Sequence, residues 1–366
     1  MMYLDNGATS FHKPAVVRQA VAEAMLKCAN PGRGGYPAAM AAAKTVYRCR
    51  ERAAALFDCQ PEQVVFTANC THGLNIAINS LITAGSKVVI SGFEHNAVTR
   101  PLYLRGAKVT VAGRKLFHWE SMLEEFEKAL RSGVDAAVFT HVSNVFGYIL
   151  PVETLAQMCR AYGVPFVIDA AQSAGTLPVK LETLGADFIA MPGHKGLLGP
   201  QGTGILLCRS NPKPLIAGGT GSDSRNPAMP DDLPDRLEAG TLNVPGIAGL
   251  EAGLRYLQKT GIDTIYQREH RAAEQCICDL KAMGYTVFSG EHQAATVSFL
   301  PREDCETFAQ KMAQRGIAVR AGLHCAPLAH ESAGTIDSGT VRISFGYDAS
   351  PAQNAVLRQN FPKDLE

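Results

Sequence analysis

The first residue that suggests chemistry is a lysine in a glycine-rich loop. Lys195 lies between two short apolar segments, residues 188–191 and 205–208. Segments of this length bounded by proline and glycine predict buried strands, so we expect the loop to lie at a sheet edge. Desolvation there would lower the pKa of the lysine and free its amine to form a Schiff base with a carbonyl compound. An ordinary loop lysine is the alternative interpretation of the loop alone.

A second signal is an aspartate at the end of the preceding apolar segment. Asp169 closes residues 164–169 and is followed by small residues. A carboxylate at the carboxyl end of a parallel strand faces the crevice where open α/β sheets bind ligands. With a lysine on the next strand it indicates pyridoxal phosphate, because an acidic partner keeps the pyridine nitrogen protonated. As an isolated residue, Asp169 would more simply be a helix N-cap.

One of the ten cysteines differs from the others in its surroundings. The cysteines are scattered without a C-x-x-C pair, which argues against a disulfide framework and against a zinc or iron–sulfur site, so we expect no metal. Most of them are interpreted as small core hydrophobes. Cys325 instead lies in residues 318–327, where glycine, proline and a neighbouring histidine predict an irregular and accessible backbone.

The composition is that of a globular enzyme. The chain has 366 residues, 46% of them hydrophobic and 19% charged, with a formal net charge of +1. We therefore expect no nucleic-acid or anionic membrane partner. The first residues lack the basic start and apolar core of a signal peptide, and no apolar run approaches the length of a membrane span, so a cytoplasmic location is expected.

The order of the predicted elements indicates an α/β fold. Helical periodicity fills the gaps between predicted strands at residues 64–68, 87–91, 108–111, 135–141, 164–169, 187–191 and 203–208. This alternation predicts a mostly parallel sheet with helices on both faces. Residues 211–245 are predicted to be a long functional loop. Two helices with a break near Gly261 should follow, and then a small α+β region with strands at residues 285–288, 295–300, 318–320 and 341–345.

Eight short motifs occur in order along nearly the whole chain: residues 3–9 (YLDNGAT), 71–75 (THGLN), 94–96 (EHN), 143–147 (SNVFG), 169–172 (DAAQ), 193–195 (GHK), 238–241 (EAGT) and 320–325 (RAGLHC). The set is similar to the cysteine desulfurases of the class V aminotransferase fold, particularly the group II (Suf-type) branch that includes selenocysteine lyases. The resemblance implies a pyridoxal-phosphate-dependent homodimer of fold type I with a seven-stranded sheet. Residues 14–250 would form the large cofactor-binding domain, and residues 1–13 and 251–366 a small α+β domain that carries the cysteine loop.

The resemblance also implies roles around the ring of pyridoxal 5'-phosphate. Lys195 would form the Schiff base, Asp169 would pair with the pyridine nitrogen, and Gln172 would reach the phenolate oxygen. His95 would stack on the ring and assist catalysis. Its alternative interpretation is a polar histidine at a strand end.

At the phosphate end, the resemblance implies Thr71 and His194 as ligands, and Thr241 as a ligand donated by the neighbouring subunit. Thr71 follows a predicted strand and opens a helix, where backbone N–H groups favour anions. Three positions depart from the family pattern. Pro192 stands where a serine is usual, and Cys70, counted among the cofactor-binding residues, stands where many members have a second threonine. Leu323, beside the cysteine loop, stands where group II members often have a first histidine.

The substrate would be held through its carboxylate. Arg342 matches the family's carboxylate-binding arginine, which suits a planar bidentate cation, and Asn144 would assist it. The alternative for Arg342 is a strand arginine on a solvated face. Arg320 is a further candidate, which could instead orient the loop of Cys325 or pair with a carboxylate of the small domain.

The implied reaction is the conversion of L-cysteine to L-alanine. Lys195 would move protons at Cα, and the thiolate of Cys325 would take the sulfur as a persulfide for transfer to an acceptor protein. Arg320 and His324 could supply a positive field that favours the thiolate. L-selenocysteine is an alternative substrate, since a selenocysteine lyase would use the same residues. An aminotransferase or β-lyase, and a silent scaffold, are further alternatives that Cys325 and Lys195 disfavour.

Overall fold

The computed structural model describes residues 1–32, 34–222 and 224–361. The strands are β1 (Met2–Tyr3), β2 (Val64–Thr67), β3 (Lys87–Ser91), β4 (Lys108–Ala112), β5 (Ala136–Thr140), β6 (Phe166–Asp169), β7 (Phe188–Pro192), β8 (Gly204–Cys208), β9 (Thr286–Phe288), β10 (Thr296–Leu300), β11 (Ile317–Ala318), β12 (Arg320–Gly322) and β13 (Thr340–Ser344). The α-helices are α1 (Ala15–Lys27), α2 (Pro37–Phe57), α3 (Cys70–Leu81), α4 (Asn96–Leu104), α5 (Trp119–Arg131), α6 (Val152–Tyr162), α7 (Leu181–Leu184), α8 (Val244–Thr260), α9 (Ile262–Ala282), α10 (Cys305–Gln314), α11 (Pro327–Ala333) and α12 (Pro351–Asn360).

The central sheet has seven strands in the order β2-β8-β7-β6-β5-β3-β4. The pairs from β7 through β6, β5 and β3 to β4 are parallel, whereas β8 runs antiparallel to both β2 and β7. Each strand lies within about two residues of its predicted position, and the mostly parallel sheet is confirmed. The β7–β8 connection lies at the carboxyl edge of the sheet, so its loop is beside the end of β6.

Helices cover both faces of this sheet because its strands carry apolar side chains on both faces. Along β5, Ala137 and Phe139 pack into a core with α2, α5, α6 and α8, while Ala136 and Val138 pack into a second core with α3 and α4. Alternate side chains of a strand point to opposite faces, so an apolar strand requires a helix layer on each side. The doubly covered architecture therefore follows from the continuous apolar runs in the sequence.

The C-terminal part forms a separate antiparallel sheet of four strands, in the order β12-β13-β10-β9. Its core contains Cys276, Phe299, Phe308 and Ile343. The predicted single strand at residues 318–320 is divided. Residues before Val319 form β11, which pairs in parallel with β1, whereas residues after it form β12, which pairs with β13.

The long connection between β8 and α8 contains no helix or strand among its described residues, as predicted. Its end is fixed by Glu238, whose side chain forms a buried ion pair of 2.8 Å with Arg50 and accepts the backbone N–H of Phe66 at 2.7 Å. The predicted break near Gly261 is also found, between α8 and α9. No helix in the described part of the chain is long and apolar enough to cross a membrane.

Candidate active site

A cavity lies at the carboxyl edge of the central sheet, where the loops after β3, β5, β6 and β7 meet. The cavity brings together eight predicted site residues, namely Cys70, Thr71, His95, Asn144, Asp169, Gln172, His194 and Lys195. Ligands in open α/β sheets bind at this edge. A larger groove lies between α9 and α12, but none of the predicted site residues lines it. The chemistry of this chain is therefore expected in the smaller cavity.

Lys195 follows β7 and is partly buried. Burial and the nearby Arg342 lower the pKa of Lys195, while the carboxylate of Asp169 partly offsets this shift. A lowered pKa increases the fraction of neutral amine, which is the form that attacks a carbonyl. The partial burial and the lowered pKa argue against the interpretation of Lys195 as an ordinary loop lysine.

Asp169 ends β6 and is 2% exposed. Its Oδ1 accepts hydrogen bonds from the N–H of Ala171 at 2.9 Å and from the thiol of Cys70 at 3.4 Å. Among the described residues, none donates a hydrogen bond to Oδ2. A buried carboxylate with one oxygen unoccupied, beside a buried lysine, suits a protonated pyridine nitrogen.

His95 is the N-cap of α4, and its Nδ1 accepts the N–H of Ala97 at 3.0 Å. The neutral ring therefore carries its proton on Nε2. Burial is the largest cause of a lowered pKa at His95, so the imidazole is neutral at pH 7. Glu94 beneath it is fully buried, and burial raises the pKa of that carboxyl to about 8. Glu94 accepts the N–H of Thr140 at 2.8 Å, which joins the His95 turn to β5.

The opposite end of the cavity has the features of an anion site. Asn69 caps α3 by accepting the N–H of His72 at 2.9 Å, and Thr71 is exposed in the first turn. A helix N-terminus stabilises a phosphate through its free N–H groups and its dipole. Gln172 is fixed by donating to the carbonyl of Gly7 at 3.0 Å. The carboxylate, the imidazole and the helix N-terminus together fit pyridoxal phosphate.

The N-terminal segment, residues 2–13, crosses the site and is called the N-terminal strap below. Ser10 donates to the carbonyl of Lys195 at 3.1 Å, and Lys13 donates to the carbonyl of His194 at 2.7 Å. The His194 ring lies 3.0 Å from the hydroxyl of Thr9, and burial lowers its pKa to about 4. Ser10 and Lys13 were not predicted from the sequence, since no local pattern connects them with residues about 180 positions away.

Arg342 lies in the middle of β13 and is 2% exposed, so the predicted alternative of a solvated strand face is wrong. It donates to Asp5 of the strap at 2.5 Å and to the carbonyl of Asn144 at 2.9 Å, while its buried Nε has no partner among the described residues. Burial lowers the pKa of Arg342, and Asp5 opposes the shift. Arg320 is exposed and lies directly opposite Arg342 across the β12–β13 pair. Arg342 lies close enough to Lys195 to lower its pKa, and Arg320 is the register partner of Arg342 on the neighbouring strand.

Cys325 is exposed and lies outside the lining of the cavity, in a turn between β12 and α11. His324 and Cys325 both have left-handed backbones, with φ of 50° and 59°. Asn96 donates its N–H to the Cys325 carbonyl at 2.8 Å, and the Asn144 side chain donates to the His324 carbonyl at 2.8 Å. Strained non-glycine conformations cluster at functional sites.

His324 does not have the charge that the sequence suggested. Its side chain is buried against Thr340, and burial is the largest cause that lowers its pKa to about 2. The ring is therefore neutral at pH 7, and the prediction that His324 contributes a positive field is wrong. Of the two predicted cations, only Arg320 keeps its charge near the turn of Cys325.

Thr241 is exposed and lies apart from the cavity of Lys195. It lines surface depressions with Tyr47 and Glu238. Its predicted contact with the phosphate of a neighbouring subunit stays a prediction. Arg342 and Cys325 lie outside the cavity lining but are hydrogen-bonded to Asn144 and Asn96, whereas Arg320 is linked to the site only through its strand pairing with Arg342.

The sequence and the fold correspond to those of a known class of enzymes. The sequence matches the family described as "Aminotransferase class-V" over residues 2–354, so the chain belongs to this family. The apo structure of the cysteine desulfurase from Thermococcus onnurineus NA1 superimposes with a TM-score of 0.90 at 30% identity, covering 98% of this chain and 93% of that one. The predicted fold class is thereby confirmed.

Two curated relatives have the same description. A "Probable cysteine desulfurase" of Pyrococcus abyssi is 33% identical over 365 residues, which covers 94% of this chain and 89% of the relative. One of Methanothermobacter thermautotrophicus is 31% identical over 363 residues, covering 94% and 90%. Within its family, the chain is therefore similar to the cysteine desulfurases.

Proposed function

We propose that this protein is a pyridoxal-phosphate-dependent cysteine desulfurase, which converts L-cysteine to L-alanine and retains the sulfur as a persulfide on Cys325. The observation that carries the proposal is the fixed turn of Cys325, whose backbone is hydrogen-bonded to Asn96 and to Asn144, a residue that lines the lysine cavity. An aminotransferase needs Lys195 and Asp169 but has no need of an exposed thiol held there.

The cofactor would be held at three points. Asp169 would meet the pyridine nitrogen, His95 would cover one face of the ring, and the first turn of α3 with Thr71 would bind the phosphate. His194 is neutral, so it would bind the phosphate through a hydrogen bond. Once bound, pyridoxal phosphate supplies an electron sink conjugated to the Cα of the substrate.

Lys195 and the two arginines would act on the amino-acid part of the substrate. The lowered pKa of Lys195 lets its amine accept the Cα proton near neutral pH and return a proton later. Arg342 offers its unpartnered Nε and the adjacent nitrogen as a fork for the carboxylate. Arg320, across the strand pair, adds a second positive charge on the exposed side.

Cys325 would perform the step that defines the reaction. Its thiolate attacks the substrate sulfur, an S–S bond forms, and the Cβ–S bond breaks. The electron pair of the broken bond stays with Cβ, which takes a proton to become the methyl group of alanine. An acceptor protein would then remove the sulfur from the exposed Cys325.

We also propose that the protein is a homodimer. The side chains of Tyr36, Met40 and Tyr47 on and before α2 are 54% to 57% exposed, and Tyr47 lines the same surface depression as Thr241. An apolar surface of this kind is typical of a subunit interface. A second subunit there would cover Thr241, which would then lie close to the partner's phosphate site.

The function is tested by mixing the purified holoprotein with L-cysteine, trapping persulfide by alkylation and measuring alanine. We expect equal first-turnover amounts of alanine and of persulfide on the peptide that contains Cys325. In Cys325→Ser, alanine formation should fall by about three powers of ten, because a hydroxyl is a far poorer nucleophile towards sulfur. Unchanged alanine formation in that variant would refute the proposal and favour a β-lyase.

A further inference from the structure

Cys70 is the first residue of α3 and lines the cavity, yet its side chain does not lie among the groups at the phosphate end. Its Sγ lies 3.4 Å from Oδ1 of Asp169, and both side chains are buried. At this position, where many family members have threonine, the cysteine side chain therefore contacts Asp169, the carboxylate that would pair with the pyridine nitrogen.

The thiol acts as the donor in this contact. Burial and the charge of Asp169 raise the pKa of Cys70 well above its ordinary value, so the thiol keeps its proton at neutral pH. The carboxylate of Asp169 can only accept a hydrogen bond when ionised. The geometry is thus a buried S–H···O⁻ hydrogen bond inside the cavity.

The two hydrogen bonds on Oδ1 determine how the carboxylate is turned. The N–H of Ala171 and the thiol of Cys70 both meet Oδ1, and no donor among the described residues meets Oδ2. A thiol is a weaker donor than a hydroxyl, so it removes less negative charge from the carboxylate. Asp169 is therefore held in one orientation by one amide donor and one weak thiol donor.

We propose that Cys70 is a positioning residue for Asp169, whose thiol directs Oδ2 towards the pyridine nitrogen and leaves the carboxylate more basic than a serine or threonine donor would. This inference depends on the proposed pyridoxal phosphate site. It predicts different effects for two substitutions at Cys70. Cys70→Ala frees the carboxylate to rotate, whereas Cys70→Ser keeps it oriented but lowers its basicity.

The hydrogen bond itself can be tested without cofactor. The infrared S–H band of Cys70 in the apoprotein, obtained as the difference between wild type and Cys70→Ala, should lie below the band of Cys159, a buried cysteine on α6. Asp169→Asn should shift the Cys70 band to higher frequency and leave the Cys159 band unchanged. A Cys70 band at the same position in wild type and Asp169→Asn would overturn the proposal.

The effect on the cofactor is tested with ¹⁵N-labelled pyridoxal phosphate. In Cys70→Ala the dissociation constant of the cofactor should rise about threefold to tenfold, as expected for one lost hydrogen bond. In Cys70→Ser it should stay within about twofold, while the ring ¹⁵N signal moves towards that of unprotonated pyridine. A purely structural role would lower the apoprotein melting temperature of Cys70→Ala and leave the ¹⁵N signal in both variants unchanged, which would refute the inference.

The outcome is separable from that of the proposed function. If wild type forms no persulfide on Cys325 but the Cys70 variants change the ¹⁵N signal as stated, the desulfurase proposal fails and the role of Cys70 stands. If persulfide forms but the signal is the same in all variants, the role of Cys70 is refuted and the desulfurase proposal stands.

Discussion

Replacing Asp5 by asparagine should destabilise the protein by about 3 kcal/mol, because it leaves the buried guanidinium of Arg342 without its counterion. The two side chains are 2.5 Å apart, with 2% of Arg342 and 19% of Asp5 exposed. Removing one partner of a buried ion pair costs about 3–5 kcal/mol. We expect the lower end of this range because Asp5 is partly open to water and the carbonyl of Asn144 still accepts from Arg342 at 2.9 Å.

The assay is urea denaturation of the apoprotein, followed by fluorescence and circular dichroism. A matched control is Glu127→Gln, which removes one partner of an ion pair with Arg131 whose side chains are 42% and 68% exposed. An exposed pair of this kind contributes little to stability, because solvent screens both charges. Saturating L-alanine should restore part of the stability of Asp5→Asn, because its carboxylate can pair with Arg342 and ligands stabilise the state that they bind.

The result that would refute this reasoning is a loss in Asp5→Asn no larger than that in Glu127→Gln. It would mean that Arg342 is stabilised without Asp5. A large loss in Asp5→Asn that L-alanine does not reduce would support the buried ion pair. The same result would argue against Arg342 as the site of the substrate carboxylate.

Four further outcomes are expected. Borohydride should attach the cofactor to the peptide that contains Lys195, and a label on any other lysine would contradict the site. Cys325→Ser should keep substantial activity on selenocysteine, because selenium is a better leaving group; parallel loss on both substrates would exclude that route. Mixed dimers of Lys195→Ala and Thr241→Val should regain one intact site if sites are shared, and activity equal to the mean of the parents would mean that they are not. Burial raises the pKa of Glu269 to about 8, so wild-type stability should fall between about pH 4.5 and 8, where the unfolded carboxyl has lost its proton and the folded one still holds it; Glu269→Gln should reduce this slope in denaturation curves and the exposed Glu274→Gln should not.

The parts of the site that could be predicted depend on local sequence. Lys195 and Asp169 follow or end apolar runs. Because the carboxyl ends of parallel strands meet at one edge of the sheet, such residues are expected to lie close together. Cys325 stood out because glycine and proline around it indicated an irregular backbone. These signals need no knowledge of how distant segments pack.

The parts that could not be predicted depend on contacts between distant segments. Asp5 and Arg342 are 337 positions apart, and only the tertiary structure brings them together. The charge of His324 depends on its burial, which a motif does not reveal. The division of residues 318–320 at Val319 likewise arises because the residues on either side of Val319 pair with strands of two different sheets.

The N-terminal strap has a consequence for the order in which the parts of this protein fold during synthesis. Its first strand pairs with β11, Asp5 pairs with Arg342, and Lys13 closes on the loop of Lys195. The strap cannot reach its final position until residues 317–344 have been made, although the central sheet is complete by Cys208. During this interval the large sheet can fold while the site remains open on one side. A bulky extension at the amino terminus should therefore slow acquisition of cofactor more than folding of the sheet, which a time course of absorbance and circular dichroism can compare.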